Sequence, residues 1–460
     1  MNQPTQPDSH LRPEDQATLY GEQTRLAVNN FRISGLRFPD TFIRTLGIIK
    51  ACAARVNGAL GMLSRDMARA IEDAADEVAE GRWSDQFPVD VFQTGSGTSI
   101  HMNVNEVIAT LAQWRLGRTV NPNDHVNRGQ SSNDVIPTAI HVSAALELQR
   151  LKSTLGSLQA AISAREEEYA TTVKTARTHL MDAVPMTLGQ ELSGWASQVT
   201  ADLARLTDVE QRLLQLPQGG TAVGTGLNTH AEFAGRFAAA MIERTDLAFR
   251  PAPNAFAAIS AQDTAVELSG QLRVTAVTLL KIATDLRWMN SGPTAGLAEI
   301  QLPELQPGSS IMPGKVNPVI PEAVGMACVQ VIGLDAAVTG AAQDNRFQLA
   351  TMLPLIAFDL LQQLSLLTGA AGSLNEQAIM RFEVDEQLLS DRVKRNVMLA
   401  TALTPRIGYE LAGKIVRMSI TQGLPVIEAA RELSGLPEDE LQHMLDPERL
   451  ALGSVPLTSR

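Results

Sequence analysis

The segment 307–318 has the composition of a ligand-binding loop. Its sequence, PGSSIMPGKVNP, contains three prolines, two glycines, two serines, a lysine and an asparagine. Glycines allow backbone N–H groups to approach a ligand closely, while the hydroxyls of Ser309 and Ser310 and the ammonium of Lys315 can stabilise a carboxylate or a developing negative charge. A long loop between helices is more often functional than connective. Composition alone also permits a mobile linker.

A histidine and a carboxylate form the candidate acid–base pair. His179 follows Thr178 and is predicted to precede an apolar-rich helix, and Glu322 lies early in the helix predicted after the 307–318 loop. A carboxylate bonded to an imidazole orients the ring and raises its basicity. A lone histidine is more often structural, so the interest of His179 depends on Glu322.

Two further segments, 95–98 and 121–134, are rich in short hydrogen-bonding side chains. Such groups suit the neutral recognition of carboxylate and hydroxyl oxygens. The same residue types also form helix N-caps and turns, and for each segment taken singly that structural role is the stronger interpretation. The glycine-rich segment 219–226 lacks the Lys-Ser/Thr ending of a phosphate-binding P-loop and follows a helical stretch, so nucleotide binding is rejected.

Composition excludes several classes of function. The net charge of −12 argues against a nucleic-acid-binding or anionic-membrane surface. No cluster of His, Cys or carboxylates has metal-ligand spacing, so no metal site is predicted. Cys52 and Cys328 are expected to be reduced and buried. The polar segment 1–14 resembles neither a signal nor a transit peptide, and no membrane span is expected, so the cytoplasm is the predicted location.

The spacing of apolar residues predicts long helices that position these loops. Apolar residues make up 44% of the 460 residues and aromatics only 4%, which favours closely packed helices over sheets. Three stripes keep helical spacing: Leu148, Leu151, Leu155, Leu158 and Ile162; Val199, Leu203, Leu206, Val209 and Leu213; Leu268, Leu272, Leu279, Ile282 and Leu286. We predict an all-α fold with a bundle of about five long helices between roughly 135 and 385.

The length predicts two or three domains. We expect an N-terminal domain of mixed helices and loops at 1–134, a central long-helix bundle at 135–386 and a small C-terminal helical domain at 387–460. Sustained stripes on several helices also indicate that subunits share the bundle, although a single chain can bury such stripes internally.

Taken together, these segments resemble the fumarase/aspartase superfamily, whose hallmark is the run at 308–318. The resemblance spans nearly the whole chain in the expected order, and the sequence is most similar to class II fumarases. The other segments that carry it are 19–24, 95–109, 121–138, 176–195, 219–230 and 401–409.

The resemblance implies a mainly helical, three-domain subunit and a homotetramer around a helical core, with each active site shared among three subunits. It implies reversible hydration of fumarate to (S)-malate through an aci-carboxylate, with no cofactor. Ser309 matches the base that removes the C3 proton, His179 with Glu322 matches the general acid/base at the C2 hydroxyl, and Lys315 matches the cation that stabilises the intermediate. The implied substrate contacts are Ser96, Thr98, Ser131, Ser132, Asn133, Thr178, Ser310, Lys315 and Asn317.

A secondary, non-catalytic site is implied at Arg118, Asn121, Asn123 and Asp124. The sequence departs from the usual pattern there, because Asn121 stands where fumarases usually have His. Other departures are His101 in place of the usual Asn, Leu334 within a usual Gly-Asn-Asp run, and Ala350 in place of Asn.

Two alternatives are carried forward. Aspartate ammonia-lyase has the same fold and base, with ammonia as the leaving group. Aspartases usually have Thr where Ser132 stands and Ala where Gly314 stands, which favours fumarase. The second alternative is a non-catalytic structural protein on the lyase scaffold. It is disfavoured because Ser309, Lys315, His179 and Glu322 are all present.

Overall fold

The computed structural model describes residues 18–308 and 310–453; residues 1–17, 309 and 454–460 lie outside the described part of the chain. Within that part the α-helices are α1 Glu22–Asn30, α2 Asp40–Ala59, α3 Arg65–Ala79, α4 Thr98–Leu116, α5 Ser132–Glu168, α6 Leu188–Leu213, α7 Phe233–Thr245, α8 Ala255–Ser260, α9 Asp263–Met289, α10 Val319–Ala342, α11 Leu353–Leu374, α12 Glu386–Lys394, α13 Thr404–Ile407, α14 Tyr409–Gln422, α15 Val426–Leu433, α16 Glu438–Met444 and α17 Pro447–Leu452. The short strands are β1 Val173–Thr178, β2 Met181–Thr187, β3 Gln215–Leu216, β4 Arg250–Pro251, β5 Ile300–Gln301 and β6 Glu383–Val384.

The strands form three two-stranded pairs. β1 pairs with β2 and β5 with β6 in antiparallel fashion, and β3 pairs with β4 in parallel. These small pairs are additions to a helical fold, and the predicted all-α class is confirmed.

Five helices are long, as the apolar spacing predicts. α5, α6, α9, α10 and α11 contain 37, 26, 27, 24 and 22 residues. The stripe on α5 is fully buried, as are the positions of the α9 stripe. On α6, Leu203 is only half-buried, while the other four stripe positions are buried. The predicted periodicity therefore identifies the buried face of each helix.

The chain divides into two compact units. Unit 1 contains 18–151, Arg205–Arg273 and Gln330–Leu366, and unit 2 contains Lys152–Ala204, Val274–Val329 and 367–453. The division into domains at 1–134, 135–386 and 387–460 stays a prediction. The short helices expected near the C-terminus are present, and a cluster of buried side chains that includes Leu403, Ile415 and Val426 forms their core.

In unit 1 a buried polar cluster joins three of the long helices. Gln363 Nε2 on α11 donates to Ser269 Oγ on α9 at 3.0 Å and to the carbonyl of Val331 on α10 at 3.2 Å. Ser269 donates in turn to Asp335 Oδ1 at 2.7 Å. Because these side chains are buried, their hydrogen bonds fix the register of α9, α10 and α11 against one another within this unit.

Two helices have the length and hydropathy of a membrane span, although none is predicted from the sequence. They are Val319–Ala342 and Leu353–Ile379, and 33% and 61% of their apolar windows are buried within the chain. The first helix contains Glu322 and the second contains Asp359, and acidic side chains are rare in membrane spans. Core helices of soluble proteins can also have this length and hydropathy. Length and composition therefore do not by themselves assign a membrane location.

Candidate active site

His179 lies in the turn of a β-hairpin. β1 and β2 pair from Val173↔Thr187 to Thr178↔Met181, which leaves His179 and Leu180 as a two-residue connection. Both residues have left-handed backbone, with φ of 55° and 60°. This is the geometry of a type I′ turn, whose twist matches that of the flanking strands but which normally takes Asn or Gly. The turn presents Thr178 and His179 to solvent.

The helix predicted after His179 is α6, but a strand separates the two. α6 begins only at Leu188, after the whole of β2. The hairpin was missed because neither His nor Leu is a turn-forming residue. Left-handed backbone at such residues costs on the order of 1–3 kcal/mol and persists where surrounding structure enforces it, which is a common feature of functional sites.

A buried charge cluster supports the hairpin. Arg177, next to Thr178, donates to Glu299 Oε1 at 2.5 Å, and Lys174 Nζ lies 2.7 Å from Glu299 Oε2. The second of these is an ion pair whose angle is not that of a hydrogen bond, since Oε2 has no hydrogen-bond partner. Lys174 also donates to Glu191 on α6 at 2.5 Å. Two cations and two carboxylates balance, so the buried cluster is neutral overall.

The signature loop lies between the long helices α9 and α10, as predicted, and it follows the short strand β5. Ser309, the predicted base, lies outside the described residues. Lys315 donates to Asn317 Oδ1, and Asn317 Nδ2 donates to the carbonyl of Gly308 at 2.9 Å. A methyl group added at Gly308 would lie 1.8 Å from the carbonyl oxygen of Lys315, so only glycine fits there. Lys315 and Ser310 are exposed on this folded loop.

Glu322 lies in the first turn of α10, as predicted, and is half-buried. The predicted hydrogen bond between Glu322 and His179 is not formed among the described residues of the single chain. The two side chains are therefore not brought together as an acid–base pair within one copy.

The polar residues of unit 1 form a second group. Ser96 and Thr98 share a hydrogen bond of 2.8 Å at the start of α4, where Gly97 has φ of 72°. A methyl group at Gly97 would lie 2.9 Å from the side chain of Ile136, so this tight turn requires glycine. His101, one turn further along α4, contacts Ser132 Oγ through Nδ1 at 2.8 Å. His101 thus links the 96–98 turn to the start of α5.

Asp134 organises the start of α5. Its carboxylate accepts hydrogen bonds from the backbone N–H groups of Ser131 at 2.9 Å, Gly219 at 3.0 Å and Thr221 at 2.9 Å. Burial raises the pKa of Asp134 to about 6, against the opposing effect of these bonds. Nearby, Asn133 Nδ2 donates to the carbonyl of Ala222 at 2.8 Å.

The glycine-rich segment 219–226 therefore has a structural role. Its backbone N–H groups bind Asp134, an internal carboxylate. This accounts for a composition that superficially resembles a phosphate loop.

Comparison with known proteins agrees with these features. The family described as "Lyase" matches residues 13–333, and the family described as "Fumarase C C-terminus" matches 399–451. A fumarate hydratase class II of Pseudomonas aeruginosa is 53% identical over 95% of this chain and 96% of its own length. A class II enzyme of Xylella fastidiosa is 51% identical over 95% of this chain and 93% of its own.

This chain belongs to the class II fumarase family. The solved structure of a class II fumarase from Schistosoma mansoni superimposes with a TM-score of 0.93 at 35% identity, covering 96% of this chain and 97% of that one. A fumarate lyase:delta crystallin from Brucella melitensis superimposes with a TM-score of 0.89 at 41% identity, covering 94% and 96% of the two chains. The resemblance drawn from the sequence is confirmed.

The four residues of the predicted secondary site have local partners in this class II fumarase subunit. Arg118 pairs with Asp66 at 2.5 Å on the surface. Asn121 Oδ1 accepts from the backbone N–H groups of Asn123 at 2.8 Å and Asp124 at 3.0 Å, which caps the π-helical turn Pro122–Val126. Asn121 thus stabilises its own loop, and a ligand role for these residues stays a prediction.

The departures from the usual fumarase pattern differ in their surroundings. Leu334 and Ala350 are buried apolar residues, and the backbone N–H of Ala350 donates to the carbonyl of Ile259 at 3.1 Å. His101, in contrast, is a fully buried polar residue in direct contact with Ser132, which is predicted to bind the substrate.

The two cysteines are free and buried, as expected, and burial raises the pKa of each thiol to about 12. Within residues 18–308 and 310–453, no group of three or more His, Cys, Asp or Glu side chains has the arrangement of a metal site.

Proposed function

We propose that this chain is a fumarate hydratase, which catalyses the reversible addition of water to fumarate to give (S)-malate. The observation that carries the proposal is its identity of 51–53%, over 95% of the chain, to class II fumarate hydratases. The reaction moves a proton and a hydroxyl group without a change in redox state, so the proposal includes no cofactor. We place the enzyme in the cytoplasm.

Ser309 is proposed as the base that removes the C3 proton of malate. A serine hydroxyl is a poor base at its ordinary pKa and acts only when its oxyanion is stabilised. The loop supplies a cation for this purpose, because Lys315 is fixed by Asn317, which is itself anchored to the carbonyl of Gly308. The same cation would stabilise the aci-carboxylate formed when the C3 electron pair moves into the adjacent carboxylate.

His179, paired with Glu322, is proposed to act at C2. As the C2–O bond breaks, the imidazolium gives its proton to the departing hydroxyl through a water molecule, so that water leaves and fumarate forms. In hydration the neutral imidazole takes that proton back. An imidazole can both donate and accept a proton, which suits the side chain of His179 to this exchange.

Substrate carboxylates are proposed to bind the polar side chains of the family pattern. In unit 1 these are Ser96, Thr98, Ser131, Ser132 and Asn133, and in unit 2 they are Thr178, Ser310, Lys315 and Asn317. Serine, threonine and asparagine side chains donate hydrogen bonds to carboxylate oxygens without adding charge.

We further propose a homotetramer in which three subunits complete each active site. In a single chain His179, Lys315 and Ser310 are exposed, whereas this chemistry requires a site from which bulk water is excluded. The apolar α10 also leaves Met326 and Val329 71% and 61% exposed, which is a surface that subunit contact would bury. Sedimentation velocity tests this arrangement, because a fully active monomer would contradict a shared site.

The function is tested by ultraviolet absorbance with L-malate and, separately, with L-aspartate. Both substrates would give fumarate, so one signal compares the hydratase with the ammonia-lyase. Growth of absorbance with malate alone is the expected result, and growth with aspartate alone would reassign the enzyme. Ser309→Ala should abolish turnover, while the matched variant Ser310→Ala should retain a reduced rate. Equal turnover by both variants would remove Ser309 as the base.

A further inference from the structure

A buried lysine lies behind the proposed substrate loop. Lys50, on α2, is fully buried, and its Nζ has three partners: His101 Nε2 at 2.6 Å, Asn127 Oδ1 at 3.0 Å and Gln130 Oε1 at 3.0 Å. The other ring nitrogen of His101, Nδ1, lies 2.8 Å from Ser132 Oγ. A continuous chain of hydrogen bonds therefore runs from Lys50 to a serine proposed to bind substrate.

The two amides are fixed as acceptors towards Lys50. Asn127 Nδ2 donates to the carbonyl of Gln130 at 3.2 Å, and Gln130 Nε2 donates to the carbonyls of Val126 and Arg128 at 3.2 and 3.3 Å. Their amide nitrogens are thus engaged elsewhere, and both amide oxygens require a proton from Nζ. Nζ must therefore donate one N–H to Asn127 and one to Gln130. Towards His101 it can present either a third N–H or, when the amine is neutral, its lone pair.

The direction of the hydrogen bonds from Lys50 through His101 to Ser132 depends on whether Nζ donates to or accepts from His101. An ammonium on Lys50 donates to His101 Nε2, so the neutral ring carries its proton on Nδ1 and donates to Ser132 Oγ. Ser132 then accepts from the ring, and its own proton is available to a ligand. With a neutral amine on Lys50, its lone pair accepts from Nε2–H, Nδ1 becomes an acceptor, and the Ser132 proton is drawn inward.

We propose that Lys50 and His101 are positioning residues that keep the Ser132 hydroxyl oriented as a hydrogen-bond donor to a substrate carboxylate. The inference rests on the proposed hydratase function and on Ser132 as a substrate contact. The proposal also accounts for His101, which stands where fumarases usually have asparagine. Either residue can accept a hydrogen bond from Lys50 and donate one to Ser132. The Oδ1 atom of asparagine accepts from lysine, and its Nδ2 atom donates to serine.

The electrostatic surroundings make this arrangement sensitive to pH. Burial lowers the pKa of Lys50 to about 7, and the negative charge of Asp134 on α5 opposes that shift. Burial and the charge of Lys50 hold the pKa of His101 on α4 well below its usual range, so the ring is neutral. The remaining groups facing Lys50, Asn127 and Gln130, do not titrate. The donor orientation is therefore present at low pH and lost as pH rises through about 7.

Two substitutions of nearly identical shape test the proposal. His101→Asn preserves a donor towards Ser132, whereas His101→Asp presents only acceptor oxygens, which pair with Lys50 and capture the serine proton. We expect His101→Asn to retain kcat/KM for fumarate within about threefold. A hydrogen bond to a charged group contributes about 1.5–3 kcal/mol, so His101→Asp should lose roughly 10- to 150-fold in kcat/KM, mainly through KM.

The same pair is then compared in a Ser132→Ala background, with thermal unfolding as a check of folding. If His101 acts on substrate binding through the Ser132 hydroxyl, the kcat/KM values of the His101→Asn and His101→Asp variants in this background should differ by less than about threefold. A difference that persists would be direct repulsion between Asp and the substrate and would overturn the proposal. Equal kcat/KM for the two variants in the native background would also overturn it.

A pH series supplies a second readout that a purely structural role would not change. KM for fumarate should rise above pH 7 in the native protein and should lose that rise in Ser132→Ala. An unchanged pH profile in Ser132→Ala would contradict the proposal. An inactive native protein would refute the proposed function itself, and the inference with it, whereas an active native protein with equal variants would refute the inference alone.

Discussion

Replacing Glu299 by glutamine should destabilise unit 2 strongly. The Glu299 side chain is 2% exposed, and its carboxylate lies within 2.5 Å of Arg177 and 2.7 Å of Lys174. Glutamine preserves the volume and one acceptor oxygen but removes the charge, and it can turn an N–H group towards an ammonium. The buried cluster changes from neutral to a net charge of about +1. Removing one partner of a buried ion pair typically costs about 3–5 kcal/mol, because the remaining charge is left uncompensated.

Glu191→Gln is the matched control, since it removes a carboxylate from the same lysine. The Glu191 side chain is 22% exposed, and Lys174 keeps Glu299 after the change. Water can solvate the site in part, so we expect a loss of about 1 kcal/mol, near the value for partly exposed pairs.

The assay is equilibrium urea unfolding at one fixed protein concentration, because subunit association would add to the apparent stability. Glu299→Gln should have a clearly lower unfolding midpoint than Glu191→Gln. It should also reduce kcat at temperatures where it remains folded, since Arg177 adjoins the turn that holds His179. Equal unfolding midpoints for the two variants would refute the argument that the burial of the carboxylate determines how much stability its removal costs.

Three further predictions concern other parts of the fold. The Glu106 carboxylate accepts from the backbone of Gly21 and Thr24 at 2.9 and 3.1 Å at the start of α1, so Glu106→Gln should lower unfolding stability by about 2–3 kcal/mol, measured in urea. No loss would show that α1 docks by other contacts. Leu180→Gly should relieve left-handed strain and stabilise the hairpin by about 1 kcal/mol, and a lower urea midpoint would show that the exposed leucine has a packing role. Lys50→Met should change how stability depends on pH. The folded pKa of Lys50 is about 7 and its ordinary value is 10.5, so between these values the unfolded chain binds the extra proton and native stability rises with pH. The variant should lack that rise, which amounts to about 5 kcal/mol across the window, and an identical pH dependence would show that Lys50 is not titrating there.

Much of the fold could be predicted from local pattern. Residues such as Leu148, Leu155 and Leu279 recur at helical spacing, and that spacing reports directly which face of a helix is buried. The signature loop was also identifiable, because its composition cannot form a regular element. Where the hairpin turn stands, the local signal was misleading, since His179 and Leu180 adopt a conformation that their residue types disfavour.

The sequence by itself determined the helical class, the family and the chemical types available to the site. Only the tertiary structure decided what those groups contact. Lys50 meets His101 across 51 residues, and Arg177 meets Glu299 across 122 residues. Spacing along one helix specifies which face is buried, but the partner on that face is set by chain segments that packing brings together. Hydrogen bonds require donors and acceptors within about 3 Å and in the right direction, a condition that only the folded chain fulfils.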